Sequence, residues 1–125
     1  MYSILTVDDE KAICEMIASF MERKGYKVKM ALSGEDALKL IANEKPDMIL
    51  LDLHMPGMGG EGALKEIKRL YRDIPVIILT VNNTPQKALE LLKLGAMDYM
   101  SKPIDLDCLE KNISVWQSLS NGTFQ

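Results

Sequence analysis

The chain has one histidine, His54, and two cysteines, Cys14 and Cys108. A single histidine cannot build a His-rich zinc centre, and any Ser-His-Asp or Cys-His triad would have to form around it. The cysteines lie far apart and form no CxxC pair, so both read as small apolar core residues in a reducing cytosol. Positive charge is in deficit. Lys and Arg number 15 against 18 Asp and Glu, for a net charge of −3, whereas direct, sequence-independent nucleic-acid binding needs a basic surface. No apolar run approaches the ~20 residues of a membrane span. The first residues, MYSILTVDDE, put acids where a signal peptide needs its apolar stretch and cleavage site. A cytoplasmic location is therefore expected, with no membrane contact. Repeats, linkers and low-complexity segments are missing too, and no GxxxxGK[ST] loop is present.

What is there is ordinary in amount and regular in order. The 125 residues are 47% hydrophobic and 26% charged, enough for one domain with one sizeable core. Ser3 to Val7 is a short apolar run that ends in Asp8-Asp9-Glu10. From Lys11 the apolar residues Ile13, Met16, Ile17, Phe20 and Met21 take helical spacing, and Gly25 stands where a helix C-cap belongs. Tyr26 to Leu32 reads as a strand. Ser33 with Asp36 three residues on is a capping signal for a second helix, which Lys45-Pro46 ends. Asp47 to Leu53 reads as the strongest strand, with Met48, Ile49, Leu50 and Leu51 apolar without alternation, as suits a central parallel strand buried on both faces.

A glycine-rich loop, His54 to Gly60, precedes a third helix marked by Leu64, Ile67, Leu70 and Tyr71. Val76 to Thr80 is a fourth strand. Thr84-Pro85 is an N-cap followed by proline at the first helical position, and Gly95 closes that helix. Ala96 to Met100 is a fifth strand. Lys102-Pro103 leads into a last helix carrying Leu106, Leu109, Ile113 and Trp116, with Trp116 expected on its buried side. Residues 1–119 are expected to form the domain and 120–125 a loose tail. Five strands alternating with five helices predict an α/β fold, a single doubly wound domain with a parallel sheet.

Ligands of such sheets bind beyond the carboxyl ends of the strands. Asp8 and Asp9 follow the first strand, Asp52 ends the third, Thr80 the fourth, and Lys102 follows the fifth. Polar residues at one strand end mean little, but four ends of five converging on one edge are informative. Alone, Asp8 or Asp9 would read as a cap for the first helix. Three carboxylates together repel, and either raise their pKa values or recruit a hard divalent cation such as Mg²⁺. An ammonium and a hydroxyl beside them are the groups that stabilise a phosphoryl group in transfer, and one carboxylate could act as the nucleophile.

Asp8-Asp9, Asp52 in the stretch Leu51 to Gly60, Thr80, and Asp98 to Pro103 together resemble the receiver domain of two-component response regulators. The likeness covers residues 2 to about 118. It implies a flavodoxin-like fold with a five-stranded sheet in order 2-1-3-4-5, an order for which the chemotaxis regulator is the standing example. It also implies Asp52 as the acceptor of a phosphoryl group from a sensor histidine kinase or phosphotransfer protein. Asp9 and Asp52 would hold Mg²⁺ directly with the His54 carbonyl, and Asp8 through water. Lys102 would contact the phosphoryl group, Thr80 would move toward it, and Tyr99 would be the switch aromatic. The output face would be the fourth helix, fifth strand and fifth helix, read by a downstream effector that the sequence does not name. Any enzymatic turnover would be limited to slow self-dephosphorylation. The Lys102-Pro103 bond is expected to be cis.

Four departures stand out. Val81 occupies a position where receivers usually carry a smaller residue and is expected to slow small phosphodonors. His54 and Asn82 stand at positions that influence acyl-phosphate lifetime, although the plainer reading of His54 is that only its carbonyl matters. The last helix lacks an arginine near Asn112 to pair with an acid such as Asp98. That weakens one mode of dimerisation and leaves a weak homodimer of another kind open. Three rival functions remain: a flavin-binding protein, which would want neutral hydroxyls rather than Asp8-Asp9; an aspartyl-phosphate phosphatase, which would want an acid where His54 stands; and a docking module that is never phosphorylated.

Overall fold

The computed structural model describes residues 1–81 and 84–120. Elements alternate through the chain: β1 (Ser3–Val7), α1 (Lys11–Arg23), β2 (Lys27–Ala31), α2 (Gly34–Asn43), β3 (Met48–Asp52), α3 (Gly59–Leu70), β4 (Val76–Thr80), α4 (Pro85–Lys93), β5 (Asp98–Ser101) and α5 (Leu106–Ser120). The five strands form one sheet in order β2-β1-β3-β4-β5, and every pairing is parallel. The fold class read from the alternating pattern is the one observed. Past Ser120, the tail expected from residue 120 lies outside the described residues. Among the described residues, no helix is long and apolar enough to cross a membrane.

Local signals set the element ends. Ser33 Oγ accepts from the Asp36 N–H at 3.0 Å and opens α2; Thr84 Oγ1 accepts from the Lys87 N–H at 3.2 Å and opens α4. Each satisfies one of the N–H groups a helix start leaves unpaired. The Lys102-Pro103 peptide is cis.

Strand alternation divides the core into two layers. On one face Ile4, Met48, Leu50, Ile77 and Leu79 pack against Ile17 and Met21 of α1 and Leu109 and Ile113 of α5. On the other, Leu5, Ile49, Leu51, Val76 and Ile78 meet Ala37 and Ile41 of α2, Leu64 and Ile67 of α3, and Leu91 of α4. β3 and β4 are buried along their whole length, which explains their unbroken apolar runs.

Two sequence expectations need correction, both on α5. Trp116 is 38% exposed rather than buried. The 15-residue helix is ~22 Å long and outruns five-residue strands of ~17 Å. Trp116 therefore passes the sheet's rim and lies in a cleft with Tyr2, Pro46 and Pro75. Cys108 is exposed while Cys14 is buried, because the buried stripe of α5 runs through Leu109 and Ile113 and leaves Cys108 beside it.

Candidate functional site

The alternation that builds the α1/α5 layer also aims the site. Asp8 continues the Ile4–Thr6 row, Asp52 the Met48–Leu50 row, and Lys102 the row of Met100, all toward the α1/α5 side. The Lys102 Nζ lies 2.9 Å from Asp52 Oδ1 and 3.0 Å from Asp8 Oδ2. Asp8 Oδ1 accepts from the Glu10 N–H at 2.9 Å, so both Asp8 oxygens are engaged. Asp8 and Asp52 are only 1% and 3% exposed. Asp8 serves the chain entering α1 without capping the helix proper, whose N-cap is Glu10 with no side-chain cap bond.

Asp52 titrates above the ordinary carboxyl range. Burial is the main cause and the Asp8 charge adds to it; the hydrogen bonds from Lys102 and the His54 N–H oppose it without prevailing. Burial alone would depress Lys102, yet its pKa is raised because Asp52 and Asp8 together outweigh that penalty. One ammonium is thus shared by two buried carboxylates.

The third acid, Asp9, is exposed at the edge. One oxygen each of Asp8, Asp9 and Asp52 lies within 4.8 Å of the others. This all-oxygen donor set fits a hard divalent cation, and Mg²⁺ in particular needs only one or two direct carboxylates plus water. Asp8 and Asp52 already share the Lys102 ammonium, whereas Asp9 is exposed.

The remaining expected residues sit nearby in different settings. Thr80 is fully buried at the end of β4, and its carbonyl accepts from the Lys102 N–H at 2.9 Å. Its row, Val76 and Ile78, faces the α2/α3/α4 layer. In the register Ile78 pairs with Tyr99 and Thr80 with Ser101. The half-buried Tyr99 therefore packs in the same layer, one pair behind Thr80. The His54 side chain is exposed. Asn82 lies outside the described residues.

Gly60 seats the loop after Asp52. Its N–H donates to Leu53 O at 3.1 Å, and a Cβ there would lie 2.4 Å from Asp52 O and 2.5 Å from Leu53 Cα. Only glycine lets α3 start so close to the strand end.

The approach to Asp52 is a groove of about 170 Å³ lined by Glu10, Ile13, Asp52, His54, Val81 and Lys102. The sequence reading assigned no part in the site to Glu10 or Ile13. Glu10 directly follows the acid pair, which was the available signal. Ile13 reads only as a member of the apolar stripe of α1, and nothing in its spacing shows that the first turn folds over the site.

A family described as the response regulator receiver domain matches residues 4–114. The chain is 40% identical over 110 residues to the transcriptional regulatory protein ZraR of Salmonella typhimurium, covering 88% of this chain and 25% of that protein. It is 40% identical over 116 residues to the regulatory protein AtoC of Escherichia coli, covering 93% of this chain and again 25% of the relative. The chain thus spans about a quarter of the length of these curated relatives. Among solved structures, it is similar to the chemotaxis protein CheY4 of Vibrio cholerae, with a TM-score of 0.87 at 30% identity over 91% of this chain and 97% of that one. A CheY-like receiver domain protein of Methanospirillum hungatei gives a TM-score of 0.91 at 27% identity over 99% of both chains.

Proposed function

This chain belongs to the response regulator receiver family, and from that premise we propose that Asp52 accepts a phosphoryl group from a phosphohistidine on a sensor kinase or phosphotransfer protein. The observation that carries the reading is Lys102 held between Asp52 and Asp8 at the strand ends, beside a three-carboxylate cluster. An Asp52 carboxylate oxygen attacks phosphorus and forms the O–P bond. The P–N bond to the donor imidazole breaks, its electron pair goes to the nitrogen, and solvent supplies any proton needed there. Asp9, Asp52 and the His54 carbonyl would hold Mg²⁺, with Asp8 reaching it through water, and the ion would supply positive charge to offset the phosphoryl oxygens. Lys102, already desolvated, keeps its charge and follows the new oxygens.

Thr80 then acts as the reporter. The phosphoryl oxygens offer its hydroxyl a contact that exists only when that group is present, and that differential contact shifts the population of states. Tyr99, packed in the same layer one pair away, transmits the shift to the α4–β5–α5 face and so to a downstream effector. Residues 1–119 are the unit that does this.

Intact mass after incubation with acetyl phosphate and Mg²⁺ tests the reading. One added phosphoryl group is expected, lost in Asp52→Asn and lost with chelator. An unmodified mass with every donor tried, or an adduct that survives Asp52→Asn, overturns it.

A further inference from the structure

The groove over Asp52 has a rim of unusual make-up. Asp8 and Asp52 share Lys102, and Asp9 belongs to the cation-competent cluster. Glu10 is the one acid lining the groove that belongs to neither arrangement. Its carboxylate is exposed, makes no ion pair among the described residues and, although Glu10 is the N-cap residue of α1, makes no cap bond to the helix. Opposite charges and apolar surface complete the mouth differently: Ile13 is half-buried, and Val81 is 66% exposed. A phosphoryl donor in this groove has this acid and these two branched side chains around it together with Lys102.

An acid at the start of a helix has an ordinary reason to be there, since it complements the positive end of the helix dipole. That role would make Glu10 indifferent to the identity of the donor. Its place on the groove makes it anything but indifferent, because a fixed negative charge at the mouth of a charged cleft acts on every anion that enters.

We propose that Glu10 is a specificity-determining residue that selects the phosphoryl donor by charge. It disfavours free, compact, highly anionic donors, and it favours a phosphohistidine presented on a protein surface that offers a cationic side chain to Glu10 and an apolar flank to Ile13 and Val81. This rests on the reading of Asp52 as the phosphoacceptor and names the donor class for that same site. The bonds made and broken are those given above; with acetyl phosphate the O–P bond to the acetyl oxygen breaks and acetate leaves with the electron pair.

The test is a charge series at position 10, Glu10→Asp, Glu10→Gln and Glu10→Lys, in the full chain at saturating Mg²⁺. Labelling of Asp52 is followed by intact mass with two probes: acetyl phosphate, and phosphoramidate, which carries about one negative charge fewer near neutral pH. At ~20 mM salt, Glu10→Gln should speed acetyl phosphate by about three- to tenfold and Glu10→Lys by more, while Glu10→Asp stays within about twofold of the parent. The gain should be smaller with phosphoramidate. At ~0.5 M salt, where screening reaches only a few ångströms, it should shrink below about twofold.

Equal rates across the series overturn the proposal, as does a gain that ignores salt and donor charge, which would mark a change of shape at the mouth. In both cases Asp52 would still be labelled and the phosphoacceptor reading would stand. If no variant is labelled, or if Asp52→Asn is labelled too, it is the phosphoacceptor reading that fails.

Discussion

Removing the Lys102 ammonium, as in Lys102→Met, should expose how the buried acids are balanced. Methionine keeps much of the stem and deletes the charge, leaving Asp8 and Asp52, 1% and 3% exposed, without the cation that lies 3.0 and 2.9 Å from them. Breaking a buried pair by deleting one partner costs about 3–5 kcal/mol. Two contacts soften this here. The Glu10 N–H remains on Asp8 and the His54 N–H on Asp52, so we expect about 2–3 kcal/mol. For a chain of this size that lowers Tm by roughly 10 °C.

The assay is thermal and urea unfolding in chelator. The pH dependence has a definite sign. Asp52 already titrates above its ordinary value because of burial, and losing Lys102 raises it further. A raised carboxyl pKa means the penalty is absent below the unfolded carboxyl range and grows as pH rises through the folded value. The deficit of Lys102→Met should therefore be largest at neutral pH and shrink on acidification. Lys102→Met/Asp52→Asn should recover a large part of it, and so should Mg²⁺ added to the single variant. A loss below about 0.5 kcal/mol, or a double variant no more stable than the single one, would refute the claim that one ammonium balances both acids.

Other consequences follow from the same geometry. Val81→Ala should label faster than the parent with acetyl phosphate, since Val81 stands on the groove to Asp52; equal rates in the mass assay would remove Val81 from the approach path. Gly60→Ala should cost about 3 kcal/mol or more in urea unfolding, because its Cβ would meet backbone at 2.4 to 2.5 Å; a near-neutral result would mean the β3–α3 loop moves freely. A thiol reagent at neutral pH should label Cys108 in the native chain and reach Cys14 only on unfolding, because Cys14 is buried. Burial pushes the Cys14 thiol up to about 11, so folding stability should fall by roughly 2–3 kcal/mol between about pH 9 and pH 11 as the unfolded thiol ionises first. Cys14→Ala should flatten that decline.

The central strands and the charged edge were readable because both depend on short-range patterns. An unbroken apolar run such as Met48–Leu51 has few alternatives to a buried strand, and a polar residue closing it must lie at the sheet's edge. What spacing does not encode is how far a helix reaches past its neighbours. Trp116 follows Ile113 at helical spacing and looks buried, yet the sheet ends before it does. Cys108 borders the buried stripe rather than joining it, a matter of one residue's rotation. Ile13 and Glu10 enter the groove only because α1 begins directly over the β1 end. That both Asp8 oxygens would be taken, one by a backbone N–H, is a fact of loop conformation that residue identity leaves open.

The two faces of the sheet have separate assignments. Asp8, Asp52 and Lys102 project with the α1/α5 layer, while Thr80 and Tyr99 belong to the α2/α3/α4 layer. What joins them is the backbone of β4 and the Lys102 N–H on Thr80 O. Substitutions in the α2/α3/α4 layer can therefore repack the surroundings of Thr80 and Tyr99 while the side chains that hold charge on the other side of the sheet stay untouched. The pleat lets packing on one face vary independently of the charge cluster on the other.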